Sequence, residues 1–336
     1  MEKYVCVRIT RMDDADLGLF DYDRNNTLYF FLLNADEQIY MRYGGRDAQS
    51  PDTYLNLSSL EAALAQGLEL HRRYQLGELP RVPRPKPMFA REFPLLVERT
   101  IARNNCVECH LVGDFQNVHR ELDGTLDKVT HMFRSPDIRN IGIHLDVPKG
   151  LIVKEARDAS AAAGMKAGDR IAEFNGAPVW TFADLQYRYD QTPRSASNAV
   201  VAVERGGKTE RLTIQLPVRW WLSDIRYRQL SVDPRVYFDS RALSGEEKRG
   251  LGLDPDGFAS EVTRVDSFAE LMKVHDLKKG DIVFAVDGAE RDPVAHTAEL
   301  YIKLRKTAGD SVTVDLIRAG KRIKMPVKTL RMSFRK

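Results

Sequence analysis

An internal repeat constrains the fold of this chain more than any other feature of its sequence. Residues 164–176, GMKAGDRIAEFNG, match residues 276–288, DLKKGDIVFAVDG. Two further matches extend the repeat: residues 200–208 with 312–321, and Ile141-Gly142-Ile143 with Leu251-Gly252-Leu253. Similarity that continues over such a length indicates two copies of one structural unit, called here the first copy and the second copy.

Each copy has the pattern of a small β-rich unit with one good helix. Asn175-Gly176 and Asp287-Gly288 are tight-turn pairs between apolar runs, which predicts a hairpin in each copy. A helix is expected next, over residues 182–189 with Thr181 as its cap in the first copy, and over residues 296–304 in the second. Both copies then end in a hairpin, with Gly206-Gly207 at its turn in the first copy.

The shared core, with Gly-Asp before an apolar strand and Asn/Asp-Gly after it, resembles bacterial PDZ domains. The resemblance implies two partly open β-barrels, each with a flanking helix. It also implies protein or peptide ligands, often free C-termini, which add a strand beside the loop that holds their carboxylate. On this resemblance the peptide-binding residues are Ile141, Gly142, Ile143, His144, Phe182, Leu185 and Tyr189 in the first copy, and Leu251, Gly252, Leu253, Thr297 and Tyr301 in the second.

Cys106-Val107-Glu108-Cys109-His110 has the spacing of a c-type haem attachment motif. Two thiols separated by two residues can add to the porphyrin vinyl groups, and the His110 imidazole can then ligate the iron. Cys106, Cys109 and His110 are therefore candidate haem c ligands. A disulfide or dithiol formed by the two cysteines, and a metal site completed by another histidine, remain alternatives.

The N-terminal region has a different pattern. Apolar runs at residues 4–9, 27–33 and 38–43 predict strands, and Ser58 with Glu61 predicts the start of a helix. This order resembles the second half of a thioredoxin-like fold, whose redox cysteines would then precede Met1. Cys6 is interpreted as a buried residue of the first strand.

The predicted fold class is α+β and multidomain, with a partial thioredoxin-like α/β piece followed by the two PDZ-like units. Leu79 to Pro87 is rich in proline and basic residues, which favours an extended spacer. The expected divisions are a thioredoxin-like piece at 1–77, the linker at 78–94, the Cys-x-x-Cys-His segment at 95–135, the first PDZ-like unit at 136–217, a connector at 218–245 and the second PDZ-like unit at 246–330.

Composition and charge narrow the function classes. The 336 residues carry a net charge of +3, which gives no electrostatic reason to expect a nucleic-acid partner. No run approaches the roughly 18 consecutive apolar residues of a transmembrane helix. No Gly-x-Ser-Gly turn, which would carry a hydrolase nucleophile, is found either.

These observations together predict a non-proteolytic, PDZ-type peptide-binding protein of the bacterial envelope, carrying covalent haem c for electron transfer or redox sensing. The alternative is a thioredoxin-superfamily thiol-disulfide oxidoreductase whose catalytic half lies upstream. The PDZ resemblance and the haem motif favour a periplasmic or other extracytoplasmic location. The chain as given shows no export signal after Met1, so a true start at Met1 would favour the cytoplasm.

Overall fold

The structure is a computed structural model that describes residues 3–47, 49–222 and 233–331. The chain divides into two compact units, residues 1–228 and 229–336. Both mix helices with small sheets, and none of the sheets in the described residues closes into a barrel. The fold is therefore a mixed α/β one with several small sheets, as expected in outline.

The first unit begins with an antiparallel hairpin of β1 (Tyr29–Leu33) and β2 (Ile39–Gly44). Helix α1 (Leu57–Gln75) packs on it, and Leu32, Met41 and Leu70 belong to the shared core. Two of the three predicted strands are present. The third is not, because residues 4–9 pair with no strand in the part of the chain that the structure describes, and Val5 and Val7 are 92% and 81% exposed.

The thioredoxin-like interpretation of this region gains no support from the fold, since the hairpin forms a two-stranded sheet by itself. The interpretation of Cys6 as a buried strand residue is wrong, because its thiol lies on the exposed segment. Short helices follow the proline-rich stretch: α2 (Pro94–Arg99), α3 (Cys109–Leu122) and α4 (Lys128–Met132).

The first copy completes this unit. Its elements are β3 (Ile143–Leu145), β4 (Val153–Ala156), α5 (Asp158–Ala162), β5 (Arg170–Phe174), β6 (Ala177–Pro178), α6 (Phe182–Asp190), β7 (Asn198–Arg205) and β8 (Lys208–Gln215). Strands β3 and β4 pair with each other, and the other four form a sheet in the order β6-β5-β7-β8. Thr181 caps α6 by accepting the amide of Asp184, which confirms the helix start predicted from sequence.

The second unit contains the second copy. Its elements are β9 (Phe238–Ala242), α7 (Gly245–Gly250), β10 (Ser260–Val265), α8 (Ser267–Leu271), β11 (Ile282–Val286), α9 (Ala298–Arg305), β12 (Ser311–Arg318) and β13 (Lys321–Lys328). The five strands form one antiparallel sheet in the order β13-β12-β11-β10-β9, which leaves β9 at an edge. Phe238 and Phe258 lie in its core together with Ile302 of α9.

Candidate functional site

The strand registers show which strands of the two copies correspond. Val153 of β4 pairs with Leu145, and Val262 of β10 pairs with Ser240. The amide nitrogens of Val153 and Val262 each donate to the carbonyl of the aspartate in the Gly-Asp pair, at 2.8 Å in both copies. Strand β9 is therefore the counterpart of β3, the strand beside which the PDZ resemblance would place a peptide.

The turns that lead into these two strands also correspond. Gly142 precedes β3 with a φ of 81°, and its carbonyl accepts the amide of Arg157 at 2.9 Å. Tyr237 precedes β9 with a φ of 54°, and its carbonyl accepts the amide of Asp266 at 3.0 Å. The second copy thus has a tyrosine where the first has the glycine that this left-handed backbone favours.

The loop that sequence analysis assigned to the peptide carboxylate in the second copy does not lie before β9. Leu251 is the C-cap of α7, and Gly252 continues the turn after it with a φ of 64°. Leu253 packs with Leu243 and Phe284 in a separate apolar cluster. The structure therefore places Leu251, Gly252 and Leu253 between β9 and β10, and not in the turn that precedes β9.

A cleft lies between β9 and α9 in the second copy. Its walls carry charged side chains of both signs, several of them paired: Arg264 Nε lies 2.6 Å from Asp239, and Lys303 Nζ lies 2.7 Å from Glu299. The residues that line it are Arg235, Val236, Tyr237, Phe238, Asp239, Arg264, Asp266, Glu299 and Lys303. An edge strand beside a polar cleft offers an extended chain both backbone groups and charged partners.

The two helix residues expected at this site have other contacts. Thr297 caps α9, because its hydroxyl accepts the amide of Leu300 at 3.1 Å. Tyr301 stacks on Phe258 with ring centroids 4.7 Å apart. The residues of α9 that line the cleft are instead Glu299 and Lys303. Sequence reasoning missed them, although their i, i+4 spacing places both on one helix face.

In the first copy, the structure buries all but one of the expected peptide-binding residues. Ile141, Gly142 and Ile143 at the turn and the start of β3 are buried, as are Phe182, Leu185 and Tyr189 of α6, and only His144 is half-buried. Their cover comes from the same unit. Tyr189, for example, packs against Trp220 at 4.7 Å between ring centroids and donates its hydroxyl to the Trp220 carbonyl.

Helix α6 also carries a carboxylate with an unusual environment. The side chain of Asp184 accepts the amide of Arg42 at 2.9 Å, and the Arg42 guanidinium lies 3.9 Å away. Burial raises the pKa of Asp184 to about 6, although the Arg42 charge and the backbone donors act in the opposite direction. Asp184 is therefore a buried acid that titrates above the usual range of aspartate.

The cysteine motif lies where α3 begins. Cys106 is exposed and Cys109 is half-buried at the first residue of the helix, where it accepts a hydrogen bond from the Tyr22 hydroxyl at 3.1 Å. The imidazole Nε2 of His110 lies 2.7 Å from the Glu108 carboxylate, and both of these side chains are on the surface. The haem c expectation for Cys106, Cys109 and His110 is tested by none of these contacts and stays a prediction.

No helix in the described ranges is both long and apolar enough to cross a membrane. Within the same ranges, no three His, Cys, Asp or Glu residues are grouped so that they could hold a metal ion.

Comparison with known proteins places a protease family among the relatives. The chain is 30% identical over 158 residues to the periplasmic serine endoprotease DegP of Salmonella typhimurium, and 28% identical over the same length to DegP of Escherichia coli. Each match covers 46% of this chain and spans 30% of the relative's length. No protein-family model matches the chain.

Solved structures of HtrA-type proteases are also similar. One is AlgW with a tripeptide, at 16% identity and a TM-score of 0.24, covering 38% of this chain and 42% of that one. Another is AlgW with a decapeptide, at 15% identity and a TM-score of 0.24, covering 39% and 41%.

The DegP relatives correct the function predicted from sequence. The expectation of a non-proteolytic binding protein is wrong, because the similarity points to a relation with the DegP serine proteases. They give no support to haem-dependent electron transfer or to thioredoxin-type oxidoreductase chemistry.

Proposed function

We propose that this chain is an extracytoplasmic, HtrA-related protein that captures polypeptide segments through a PDZ-like groove between β9 and α9. The observation that carries the proposal is that β9 is a sheet edge and is the counterpart of β3 in register. An edge strand can accept one further strand through its backbone groups, and an extended peptide is the simplest partner for it.

The cleft chemistry supports a peptide ligand. Tyr237 and Phe238 supply apolar surface at the turn, while Asp239, Glu299 and Lys303 supply charged groups along the walls. Backbone pairing along a strand gives affinity that does not depend on sequence, and the flanking side chains then select among peptides. A free C-terminal carboxylate, as in the PDZ resemblance, is the expected end of the ligand at the turn before β9.

The DegP relatives support an extracytoplasmic location for this chain. Both named DegP proteins are periplasmic by name, and the matched portion is nearly half of this chain. An extracytoplasmic location would bring the β9–α9 groove into contact with exported polypeptides.

The proposal is tested by selecting peptides on the full chain. A phage library displaying random heptapeptides with free C-termini is panned, and enriched sequences are synthesised with a fluorescent label. The side chain of Lys303 is only 10% exposed. Replacing it by glutamine should weaken peptide binding about tenfold, because it removes a positive charge that would pair with the peptide. The matched control is Lys324→Gln, on the far strand β13, where the side chain is 77% exposed.

Fluorescence polarisation gives the affinities, and mass spectrometry of the recovered peptides distinguishes capture from cleavage. Circular dichroism checks that both variants keep the native fold. The proposal fails if no sequence is enriched over a library without the protein. It also fails if Lys303→Gln and Lys324→Gln bind the enriched peptides equally well.

A further inference from the structure

In the first copy, a segment from the N-terminal region covers one face of helix α6. Residues 42–47, called here the docking segment, run from the end of β2 across the face of α6 that carries Phe182 and Gln186. Arg46 and Asp47 in this segment are only 5% and 4% exposed, although both are charged. Two charged residues that are buried against a helix require specific polar partners, because burying an unpaired charge is unfavourable.

Gln186 contacts both backbone polar groups of one residue of the docking segment. Its side-chain Nε2 donates to the Arg46 carbonyl at 2.7 Å, and its Oε1 accepts the Arg46 amide at 3.2 Å. An amide side chain that pairs with both backbone groups of one residue binds an extended chain independently of that residue's type. Gln186 follows Phe182 by four residues, so both lie on the same face of α6.

Gly45 allows the segment to come this close. A Cβ atom added at Gly45 would lie 2.7 Å from the Phe182 ring and 2.9 Å from the Gln186 Oε1. Its φ of +107° is also in the region that favours glycine. The contact therefore depends on the absence of a side chain at this position.

Both ends of the docking segment are held as well. At one end the Arg42 amide donates to Asp184, and the Arg42 carbonyl accepts the Thr181 hydroxyl. At the other end the Asp47 carboxylate lies 3.0 Å from the guanidinium of Arg139, in the turn that leads to β3. The segment thus spans the first copy from the start of α6 to the turn that precedes β3.

We propose that the docking segment is an internal ligand of the first copy, covering the α6 side of the groove in which this copy would otherwise bind an external peptide. The inference rests on the proposed function, because it assigns external peptides to the second copy alone. A tethered segment has an effective concentration in the millimolar range, so it outcompetes a free peptide of similar intrinsic affinity.

The first test measures docking by hydrogen–deuterium exchange of residues 42–47 in the full chain. Gly45→Ala should displace the segment and raise its exchange rate about tenfold or more. Gly77→Ala is the matched control, because Gly77 also has a positive φ, of 75°, but has no neighbour within 4 Å of an added Cβ. Gln186→Ala is a second displacing variant, with exposed Gln191→Ala as its control.

The second test repeats the phage selection on wild type, Gly45→Ala and Gly77→Ala. Gly45→Ala should enrich peptides that neither other protein binds and whose affinity is unaffected by adding Lys303→Gln. The inference is overturned if the segment is displaced and no such peptides appear. It is also overturned if neither Gly45→Ala nor Gln186→Ala changes the exchange rate, or if wild type binds a second set of peptides that Lys303→Gln leaves unaffected, beside the set that this substitution weakens. Failure to enrich any peptide on wild type, with normal docking, would instead count against the proposed function.

Discussion

Asp184 shows how one buried carboxyl connects the docking segment to pH. It lies between Arg42 of β2 and the amides at the start of α6. Burial raises the pKa of the Tyr29 hydroxyl of β1, and the nearby Asp184 charge raises it further. Burial is the dominant effect on the Asp184 carboxyl, because it raises the pKa despite the opposing Arg42 charge. The ionised form of Asp184 is thus the costly form in the folded chain.

We expect the contribution of Asp184 to stability to fall as pH rises. The folded pKa of about 6 lies above the reference value of 3.8, so the folded state retains the proton between these values while the unfolded state loses it. Stability from this group is therefore complete below about pH 4 and is lost as pH rises to about 6, a change of about 3 kcal/mol.

Urea unfolding of wild type and Asp184→Asn at pH 4 and pH 7 measures this effect. The difference in unfolding free energy, wild type minus variant, should decrease between these pH values, since the asparagine does not titrate. The other carboxyl groups titrate alike in both proteins and cancel in the difference. An unchanged difference would show that Asp184 does not titrate in this window.

At the scale of elements, the two turns that precede β3 and β9 use different residues for one backbone conformation. Gly142 has no side chain, and a Cβ added there would overlap the carbonyl oxygen of Arg157. Tyr237 adopts a similar φ with its side chain packed on the second-copy core. The requirement for glycine in the first copy therefore comes from the crowding of Arg157 as well as from φ.

Gly142→Ala should consequently destabilise the first unit by about 3 kcal/mol, the sum of backbone strain and steric overlap. Gly176→Ala is the control, because Gly176 has a comparable φ of +77° and open space around an added Cβ. It should cost about 1 kcal/mol from backbone strain alone. Chemical denaturation compares the two variants, and equal losses would contradict the role of the Arg157 carbonyl.

The elements that could be predicted from sequence are those with strong local signals. The β7–β8 hairpin and the start of α6 follow from Gly206-Gly207 and Thr181. The turn before β9 could not be found in this way, because Tyr237 gives no glycine signal and Leu251-Gly252-Leu253 offers a false one. Residues 4–9 have a strand pattern but pair with no strand within residues 3–47, 49–222 and 233–331, and strand formation depends on a partner that a local pattern does not reveal.

Local sequence patterns also predict the candidate site only in part. The sequence identified Phe182, Leu185 and Tyr189 on one helix, and the structure places all three on α6 with buried side chains. The docking of residues 42–47 on the face of α6 that carries Phe182 depends on contacts between residues about 140 positions apart in the chain, such as that between Arg46 and Gln186. No local pattern in the sequence signals a contact over that separation.

At the scale of the whole molecule, the same arginine–aspartate ion pair occurs once inside each of the two units. Arg205 donates to both carboxylate oxygens of Asp169 at 2.7 Å, and Arg318 does so to Asp281 at 2.8 and 2.7 Å. Both aspartates are almost completely buried, while the arginines remain partly exposed. The pair fixes the Gly-Asp turn to the last residue of β7 in the first copy and to the last residue of β12 in the second.

Asp281→Asn should therefore lower the stability of the second unit by about 2 kcal/mol, since it removes a charged partner from Arg318. Asp169→Asn should have the same effect on the first unit. Because the units are separate compact bodies, exchange of β11 and β12 amides should respond to the first substitution, and that of β5 and β7 amides to the second. A response of both units to either substitution would contradict this independence.

The exposed segment at residues 4–9 has a consequence for the behaviour of the protein in concentrated solution. Val5, Val7 and Ile9 are exposed in a segment that pairs with no strand among the described residues, and Cys6 lies exposed between Val5 and Val7. Such a segment is a template for intermolecular strand pairing, which is the first step of aggregation. An oxidant would then join two molecules covalently through Cys6, so the segment links the solubility of this protein to the redox state of its surroundings.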